Sequence, residues 1–405
     1  MIFQTRRGTP FMTNLRLQWL AMEKKAPGGR PLVPVIQLLG SIDDIVSPDD
    51  NLDLVTGRNF IYMDVPFSGH KSILDLGDDP KGSTRKEILR AALTKPEEVL
   101  RQKHVLPTDE PLKFQAVVAG KNDKVKDVIF VIHGIRDKGY WTHKIARRVQ
   151  RAGRPIPKIY SSETSTYGYF AMLPFILSWR RRDKMEWLMD QYVEAVAQYP
   201  DARFSFVGHS NGTHLLAKAL TVYKACRFDS VVFAGSVVRH DFDWASLQRS
   251  QQVMRILNYV ATRDWVVAIF PGAFEKFGSE LGSAGHNGFR QFKKGESGIP
   301  GFHEVWGIKG GHSAALVEEN WNDITDFIVQ GNPPQTAGRS WIPGKRCWFA
   351  VAAGWLAPLL IVGLVALLVA AGWGLWHWTD RLGSQPQILA MGAYVWAVLT
   401  ILTKV

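Results

Sequence analysis

The most informative chemistry-bearing residue of the sequence is Ser210, at the centre of the stretch GHSNG (Gly208–Gly212). A nucleophilic serine on a sharp turn between a strand and a helix needs small residues on both sides. The β-rich run RFSFV precedes the stretch, and the helical pattern THLLAKALTVY follows it. The pattern therefore predicts a nucleophile at a helix N-terminus, where the helix dipole and free N–H groups favour an oxyanion.

A serine hydroxyl is a poor nucleophile unless a base takes its proton, and two later residues provide a base and an acid. His312 lies in KGGHSAAL, after the strand pattern EVWGI, and Asp264 lies in ATRDWVV, after VMRILNYV. Each of the three residues follows a strand, so Ser210, Asp264 and His312 are predicted to form a catalytic triad. Asp241 and Asp243, in RHDFDW, remain alternative acids.

The other histidines near these motifs, and the two cysteines, are interpreted as structural residues. His133, His209 and His214 are interpreted as packing or turn-bonding residues. Cys226 and Cys347 are the only cysteines, and the spacing of a zinc site is absent. We therefore expect no metal and no organic cofactor.

The elements that must position these residues alternate between strand and helix patterns from Leu112 onward. Strands are predicted in VKDVIFVIHGI, PKIYSSE, RFSFVGH, SVVFAGSVV, VMRILNYVAT and EVWGI, and SAALVEENWNDITDFIV is predicted as the last helix. Such alternation is typical of an α/β fold with a mostly parallel sheet covered by helices.

The region Leu112–Gln330 resembles the α/β-hydrolase superfamily, through GHSNG, the order serine, aspartate, histidine, and the strand and His-Gly loop VIHGIRDKGYW. The resemblance implies an acyl-enzyme mechanism in which the serine attacks, the histidine shuttles the proton and the aspartate fixes the imidazole tautomer. It also implies an oxyanion hole formed by the backbone N–H groups of Ile135 and Asn211. One departure is the long, Gly-rich stretch Trp265–Phe302, interpreted as a lid or a flexible loop.

Two apolar segments near the C-terminus predict a membrane anchor. Trp348–Trp376 is nearly uncharged, carries tryptophans at both ends and exceeds the roughly 20 residues that span a bilayer. Ile388–Leu402 is a second, shorter segment after a polar turn. Residues 331–346 are interpreted as a Pro/Gly-rich linker and residues 347–405 as a two-helix transmembrane hairpin, the alternative being a buried helical hairpin.

The charges around the two segments predict the orientation of the anchor. Arg339, Lys345 and Arg346 precede the first segment, the turn holds Arg381 beside an aspartate, and Lys404 follows the second segment. By the positive-inside rule, both ends and the large domain lie in the cytoplasm. The predicted protein is a membrane protein with two spans that binds the lipid bilayer through its hairpin.

The composition and charge bear on whether the protein binds nucleic acid or a membrane. The 405 residues are 46% hydrophobic and carry a formal net charge of +12, yet no nucleic-acid-binding signature accompanies the positive charge. No nucleic acid is therefore expected. The basic run WRRRDK is a solvated helix start or a membrane-facing patch, and the preceding YGYFAMLPFILSW is a buried helix or an apolar flap for lipid or an acyl chain.

The N-terminal region repeats the pattern around the acid and the histidine. PVIQLLGSIDDIV aligns Asp43 with Asp264, and FIYMDVPFSGHKSIL aligns His70 with His312. Residues 1–111 are therefore interpreted as a partial second hydrolase-like segment and linker, which a partner chain or a missing half-domain would complete. The alternative is that they add strands and turns to a single larger domain.

The sequence as a whole predicts a membrane-anchored serine hydrolase that cleaves an ester or lipid-like acyl substrate. Two alternatives remain open at this point. One is a non-catalytic membrane adaptor that keeps the fold. The other is a peptidase or acyltransferase that uses the same triad, because the motifs do not separate these chemistries.

Overall fold

The computed structural model describes residues 6–25, 35–42, 60–103, 105, 122–134, 140–152, 178–293, 300–334 and 347–404. The strands in this part are β1 (Val35–Gly40), β2 (Phe60–Val65), β3 (Asp127–Ile132), β4 (Arg203–His209), β5 (Phe228–Ala234), β6 (Val253–Ala261) and β7 (Phe302–Ile308). The predicted strand PKIYSSE lies outside the described residues, as do Ile135 and Asp43.

The helices, numbered in chain order, alternate with the strands. They are α1 (Pro10–Lys25), α2 (Pro80–Thr94), α3 (Glu97–Arg101), α4 (Tyr140–Ala152), α5 (Ser178–Gln198), α6 (Asn211–Val222), α7 (Trp244–Arg249), α8 (Trp265–Lys276), α9 (Ala284–Asn287), α10 (Arg290–Lys293), α11 (Trp321–Gln330), α12 (Trp348–Asp380) and α13 (Ser384–Lys404). Short 3-10 turns lie at Ser72–Leu74, Ala314–Leu316 and Glu318–Asn320.

The chain divides into two compact units that are not contiguous in sequence. The larger unit contains residues 7–10, 124–191 and 201–405, and the smaller contains residues 1–6, 11–123 and 192–200. The predicted boundary between residues 111 and 112 and most of the predicted linker 331–346 lie outside the described residues.

The larger unit is built on a five-stranded sheet in the order β3-β4-β5-β6-β7, with every neighbouring pair parallel. Alternate residues of its strands face opposite sides, as the period of two in a strand requires. Val131, Val207 and Leu257 belong to one apolar cluster with residues of α4 and α11. Phe130 and Phe206 each contact Phe228 in an aromatic cluster. This architecture confirms the coarser part of the predicted fold class, an α/β fold with a parallel sheet and helices.

The predicted last helix starts later than the sequence pattern indicates. The chain forms two 3-10 turns over Ala314–Leu316 and Glu318–Asn320, and α11 begins only at Trp321. Two side chains donate hydrogen bonds to backbone carbonyl groups that a continuous helix would pair with its own N–H groups. Trp321 Nε1 donates to Leu316 O at 2.8 Å, and Asn320 Nδ2 donates to Ala314 O at 3.2 Å. Packing against the sheet has here overridden local helix propensity.

The smaller unit contains its own pair of parallel strands, β1 and β2, in register from Val35↔Phe60 to Gly40↔Val65. In the described part of the chain this pair is a separate sheet from the five-stranded one. Arg85 of α2 holds the loop after β2, because its guanidinium donates to Ser68 Oγ at 2.8 Å and to Phe67 O at 2.8 Å.

The turns after β1 and after β6 make the same backbone hydrogen bonds. Ile42 N donates to Ser68 O at 3.0 Å, and Arg263 N donates to Gly310 O at 2.9 Å. In sequence, each donor precedes an aspartate and each acceptor lies two residues before a histidine. The predicted repeat and the pairing of Asp43 with His70 stay predictions.

Among the described residues, α12 is the one helix that is long and apolar enough to cross a membrane. Its 33 residues extend for about 50 Å, well beyond the roughly 30 Å of a hydrocarbon core. Most of its surface is exposed, but Ala350, Ala353 and Ala357 near its start are buried. This first third packs against α8, where Ala268 Cβ lies 3.5 Å from the position of a Cβ on Gly354.

A proline and a lysine define the contact between α8 and α12. Pro358 has no N–H group and therefore cannot donate to Gly354 O, its normal partner four residues earlier. Lys276, at the end of α8, donates from Nζ to this carbonyl at 2.9 Å and to Trp355 O at 3.3 Å. The lysine thus replaces the hydrogen bond that the proline removes.

Helix α13 returns along α12. Tyr394 Oη donates to Leu368 O at 2.6 Å, and Gln387 Nε2 donates to Trp376 O at 3.1 Å. As the residue number rises in one helix it falls in the other, so the two helices are antiparallel.

Candidate active site

Ser210 lies between the end of β4 and the start of α6, in a backbone conformation that is rare for a residue with a side chain. Its φ is 52° and its ψ is −121°. The flanking glycines are required by close packing, because a Cβ on Gly208 would lie 2.7 Å from Phe206 Cε1 and one on Gly212 would lie 2.7 Å from Ile132 O. Backbone strain of this kind, held by tight surroundings, is typical of functional sites.

Hydrogen bonds from the neighbouring strand hold the Ser210 turn in place. Ser210 N donates to Ala234 O, at the end of β5, at 3.0 Å. Thr213 Oγ1 donates to Ser210 O at 2.7 Å and accepts from Val237 N at 3.1 Å. The turn is therefore fixed on both sides, and Ser210 has little freedom to move away from the strand ends.

Asp264 is fully buried and uses both carboxylate oxygens. Oδ1 caps α8 by accepting from Val267 N at 3.0 Å, and Oδ2 lies 3.0 Å from His312 Nδ1. Burial raises the pKa of this carboxyl, but the charge of His312 and the hydrogen bonds from His312 and Val267 outweigh burial and lower it overall. Asp264 is therefore ionised at neutral pH.

His312 follows β7 and points its Nδ1 at the buried carboxylate, with 18% of its side chain exposed. Gly235 makes room for the ring, since a Cβ there would lie 2.8 Å from both Cε1 and Nδ1 of His312. With Nδ1 as the donor to Asp264, Nε2 is the acceptor that a general base needs.

The structure brings the three predicted triad residues to the same edge of the sheet. Gly235, which touches His312, follows directly on Ala234, whose carbonyl binds Ser210 N. Within the described residues, no hydrogen bond joins Ser210 Oγ to His312. Such bonds are often long in ligand-free enzymes and shorten when the substrate binds.

The predicted oxyanion-hole residues are described in part. Asn211 is the first residue of α6 and is fully buried, so its backbone N–H belongs to the helix N-terminus beside Ser210. Ile135 lies outside the described residues. Its predecessor Gly134 closely approaches the nucleophile, since a Cβ on Gly134 would lie 3.1 Å from Ser210 Oγ.

His209 contacts the candidate base, which the sequence did not indicate. Its buried ring lies 4.7 Å from the ring of His312, centroid to centroid. The Trp141 ring packs edge-on against the His209 ring, with the ring centroids 6.1 Å apart. Ser313 Oγ lies 3.4 Å from His209 Nε2. In the sequence, the only signal for a contact between His209 and His312 is that His209 stands next to Ser210. A histidine that serves only in packing could stand there equally well.

The two alternative acids are engaged in other contacts. Asp241 forms two hydrogen bonds of 2.8 Å with the Arg239 guanidinium, and these bonds lower the pKa of its carboxyl. Asp243 caps α7 by accepting from Ser246 N at 3.0 Å. Of the three candidate acids, Asp264 is therefore the one that contacts His312.

The remaining two histidines near the motifs are buried. His133 lies with Nδ1 2.7 Å from Gly134 O. Burial, reinforced by Arg181, lowers the pKa of His214 to about 3, so this ring is neutral at physiological pH.

His240, Asp241 and Glu275 lie close enough together to hold a metal ion, with ligand atoms within 4.8 Å. The two carboxylates already have partners. The Arg239 guanidinium donates to the Asp241 carboxylate, and His240 Nδ1 lies 2.8 Å from Glu275 Oε1. These contacts give a cation little access to the carboxylates.

No protein-family model matches the chain, and no curated protein is significantly similar to it in sequence. What the site can do must therefore follow from its own geometry. A strained serine, an imidazole and a buried carboxylate that orients the imidazole can together perform nucleophilic acyl transfer.

Proposed function

We propose that the protein is a membrane-anchored serine hydrolase that cleaves an ester or lipid-like acyl substrate. The observation that carries the proposal is the 3.0 Å contact between His312 Nδ1 and the buried Asp264 Oδ2, at the same sheet edge as the strained Ser210. The order of these residues on β4, β6 and β7 supports an α/β-hydrolase-like domain over residues 112–330.

In the first half of the reaction, Ser210 Oγ attacks the carbonyl carbon of the ester while His312 Nε2 takes the hydroxyl proton. The imidazolium that forms is stabilised by the ionised Asp264. The bond from the carbonyl carbon to the alcohol oxygen then breaks. The alcohol leaves with the proton from His312, and the acyl group remains on Ser210.

In the second half, a water molecule attacks the acyl carbon and gives its proton to His312. The bond to Ser210 Oγ breaks, Oγ takes the proton back, and the carboxylic acid is released. The backbone N–H groups of Asn211 and Ile135 would bind the oxyanion in both halves, and losing one such donor typically costs 10²–10³ in turnover.

We propose that α12 and α13 form a transmembrane hairpin with both ends in the cytoplasm. The antiparallel contacts between the helices and the basic residues Lys345, Arg346 and Lys404 support this orientation. The catalytic domain then lies at the cytoplasmic face, next to lipid substrates.

The direct test is labelling of the full-length protein with a fluorophosphonate probe, which reacts with activated serines. Wild type and the control Ser205→Ala, in the strand β4 that leads to Ser210, are expected to label, whereas Ser210→Ala is not. Equal labelling of wild type and Ser210→Ala would refute the proposal and favour a non-catalytic adaptor.

Product analysis separates the chemistries that share a triad. Unlabelled wild-type protein is offered an acyl ester, the matching amide, and the ester with added acceptor alcohol. The proposal expects free carboxylic acid from the ester. Preferential cleavage of the amide or transfer of the acyl group to the acceptor would identify a peptidase or an acyltransferase instead.

A further inference from the structure

A cavity of about 470 Å³ lies where α8 and α9 meet the start of α12. This volume falls within the range of small-molecule sites. Helix α12 forms one wall with Val351, Gly354 and Trp355. The polar part of the lining includes Arg239, Glu275, Lys276, Ser283 and His286. The cavity thus has the proposed anchor helix on one side and polar side chains on the other.

The tryptophans of α12 indicate the depth of this cavity relative to a bilayer. Trp355 and Trp376 are both exposed, and their separation in the sequence corresponds to about 31 Å of helix. This length matches the roughly 30 Å of a hydrocarbon core, and tryptophans are enriched at both of its interfaces. When α12 spans a bilayer, Trp355 and the cavity that it lines would therefore lie at the level of the lipid head groups.

Arg239 and Glu275, two charged residues of the lining, are already bonded within the protein. The Arg239 guanidinium forms two hydrogen bonds of 2.8 Å with the Asp241 carboxylate. Glu275 Oε1 accepts from His240 N at 2.7 Å and lies 2.8 Å from His240 Nδ1. These two residues therefore contribute little to the binding of a charged ligand.

Lys276 differs from them, because its hydrogen bonds go to backbone carbonyl groups. Its Nζ donates to Gly354 O at 2.9 Å and to Trp355 O at 3.3 Å. Within the described part of the chain, Lys276 forms no ion pair with a carboxylate. An ammonium group has three N–H donors, so these two bonds leave one. Lys276 thus offers an anionic oxygen in the cavity both a donor and a positive charge.

We infer that this cavity binds the phosphate group of a bilayer phospholipid, whose acyl chains lie along α12. This inference rests on the membrane anchoring in the proposed function and not on the hydrolase chemistry. A phosphodiester carries a single negative charge, which Lys276 balances as a point charge. Beyond Pro358, exposed residues such as Leu359 and Val362 give the acyl chains an apolar surface. The occupant is a membrane lipid because the lysine stands at the beginning of that apolar surface.

Binding is tested on the full-length protein in a maltoside detergent, with dihexanoylphosphatidylcholine as the probe. This lipid has no net charge, so general attraction to a protein of net charge +12 does not contribute. Dihexanoylglycerol, which lacks the phosphate, and glycerophosphocholine, which lacks the chains, are the comparison compounds. Saturable binding of the phosphatidylcholine is expected, with both comparison compounds binding about tenfold more weakly or less.

Variants of the lysine test its role in binding. Lys276→Gln removes the charge and is expected to raise the Kd for the phosphatidylcholine about tenfold or more. Lys276→Arg keeps the charge and should bind nearly as wild type does, which separates loss of charge from loss of fold. Lys224→Gln, at an exposed lysine outside the lining, is the matched control and should leave the Kd unchanged.

A second pair of variants tests the cavity without changing the lysine. Val351→Trp places a large side chain in the wall and should abolish binding of the phosphatidylcholine. Leu356→Trp makes the same kind of change at an exposed position of α12 and should bind as wild type does. Equal Kd values for these two variants, or for Lys276→Gln and Lys224→Gln, would overturn the inference.

The comparison compounds separate the possible sources of the phosphate. Glycerophosphocholine binding as tightly as the phosphatidylcholine would indicate a site for a free phosphate compound and overturn the lipid site. Dihexanoylglycerol binding equally tightly would show that the phosphate is not recognised, with the same consequence.

The lipid site and the proposed anchoring fail in distinguishable ways. Retention of the protein in membranes washed with alkaline carbonate, without Lys276-dependent binding, would uphold the anchoring and reject the lipid site. Release by carbonate together with Lys276-dependent binding would reject the anchoring and uphold the binding of a phospholipid in this cavity.

Discussion

At the scale of single residues, Asp264 connects the chemistry of the site to its architecture. One oxygen caps α8 and the other receives His312 Nδ1, so the same carboxylate fixes a helix and an imidazole ring. With Nδ1 as the donor, this ring orientation leaves Nε2 as the acceptor atom of the imidazole, which the proposed mechanism uses as the base. A substitution here should therefore affect the tautomer of His312 more than the position of the serine.

Asp264→Asn is expected to lower kcat by about 10³–10⁴-fold, because an amide does not hold the productive imidazole tautomer or stabilise the imidazolium. Asp241→Asn is the matched control, since that carboxylate binds Arg239 and not His312. Steady-state hydrolysis of p-nitrophenyl butyrate measures both. If Asp241→Asn proves the more damaging change, the acid has been misassigned.

We expect His209 to position His312 through ring packing, given the 4.7 Å separation of the two rings. His209→Phe keeps an aromatic ring and should lose little activity. His209→Ala removes the ring and should lower kcat by about tenfold, within the usual cost of misplacing a catalytic group. Equal losses in the two variants would show that packing of the ring is not what matters.

His214 should make folding sensitive to mild acid. Its pKa is about 3 in the folded protein and 6.5 as an ordinary histidine, so the unfolded chain binds the proton more readily. Its contribution to stability is therefore complete above pH 6.5 and is lost as the pH falls toward 3, by up to about 1.4 kcal/mol per pH unit.

Thermal unfolding of wild type and His214→Gln between pH 7.5 and 5 measures this effect. The variant should lose less stability over the interval, because glutamine does not titrate. Arg181, Lys218 and Glu280, which act on the pKa of His214, are present in both proteins. Parallel curves for the two proteins would contradict the expectation.

At the scale of elements, the contact between α8 and α12 joins the candidate active site to the apolar helix. Helix α8 begins at the cap formed by Asp264 and ends at Lys276, which binds Gly354 O in α12. The start of α12 therefore packs on the domain that holds the site, and most of the helix beyond Pro358 is exposed.

Lys276→Met is expected to destabilise this contact by about 1 kcal/mol, the typical worth of one hydrogen bond, because it removes the donor to Gly354 O. Adding Pro358→Ala restores a backbone N–H to that carbonyl and should reduce the loss. Melting temperatures of the wild type, the two single variants and the double variant test this coupling. Strictly additive effects would show that Lys276 does not compensate for the proline.

At the scale of the whole molecule, the predicted orientation of α12 and α13 across the membrane can be tested by labelling single positions at their ends. Cys347 precedes α12, and Ser384 begins α13 after the turn. In sealed vesicles, a membrane-impermeant maleimide should label Cys347 from the cytoplasmic side and Ser384→Cys from the opposite side. Labelling of both positions from one side would contradict a two-span hairpin.

The sequence by itself determined the parallel α/β architecture, the sharp turn at Ser210 and the apolar segment of α12. Each of these follows from local patterning. Apolar runs define buried strands, two glycines permit the close contacts of GHSNG, and an uncharged stretch longer than about 20 residues suits a bilayer. None of them depends on how distant parts of the chain meet.

Only the tertiary structure decided which acid meets His312, what surrounds the base, and where α12 packs. Asp241, Asp243 and Asp264 all follow strands, and their local sequences do not distinguish them. Three-dimensional packing distinguishes these acids. It places the Asp264 carboxylate against His312 in the loop after β7, and it places the Asp241 carboxylate against the Arg239 guanidinium. The stacking of His209 and the docking of α12 on α8 likewise arise from contacts between residues far apart in sequence, which periodicity and spacing do not encode.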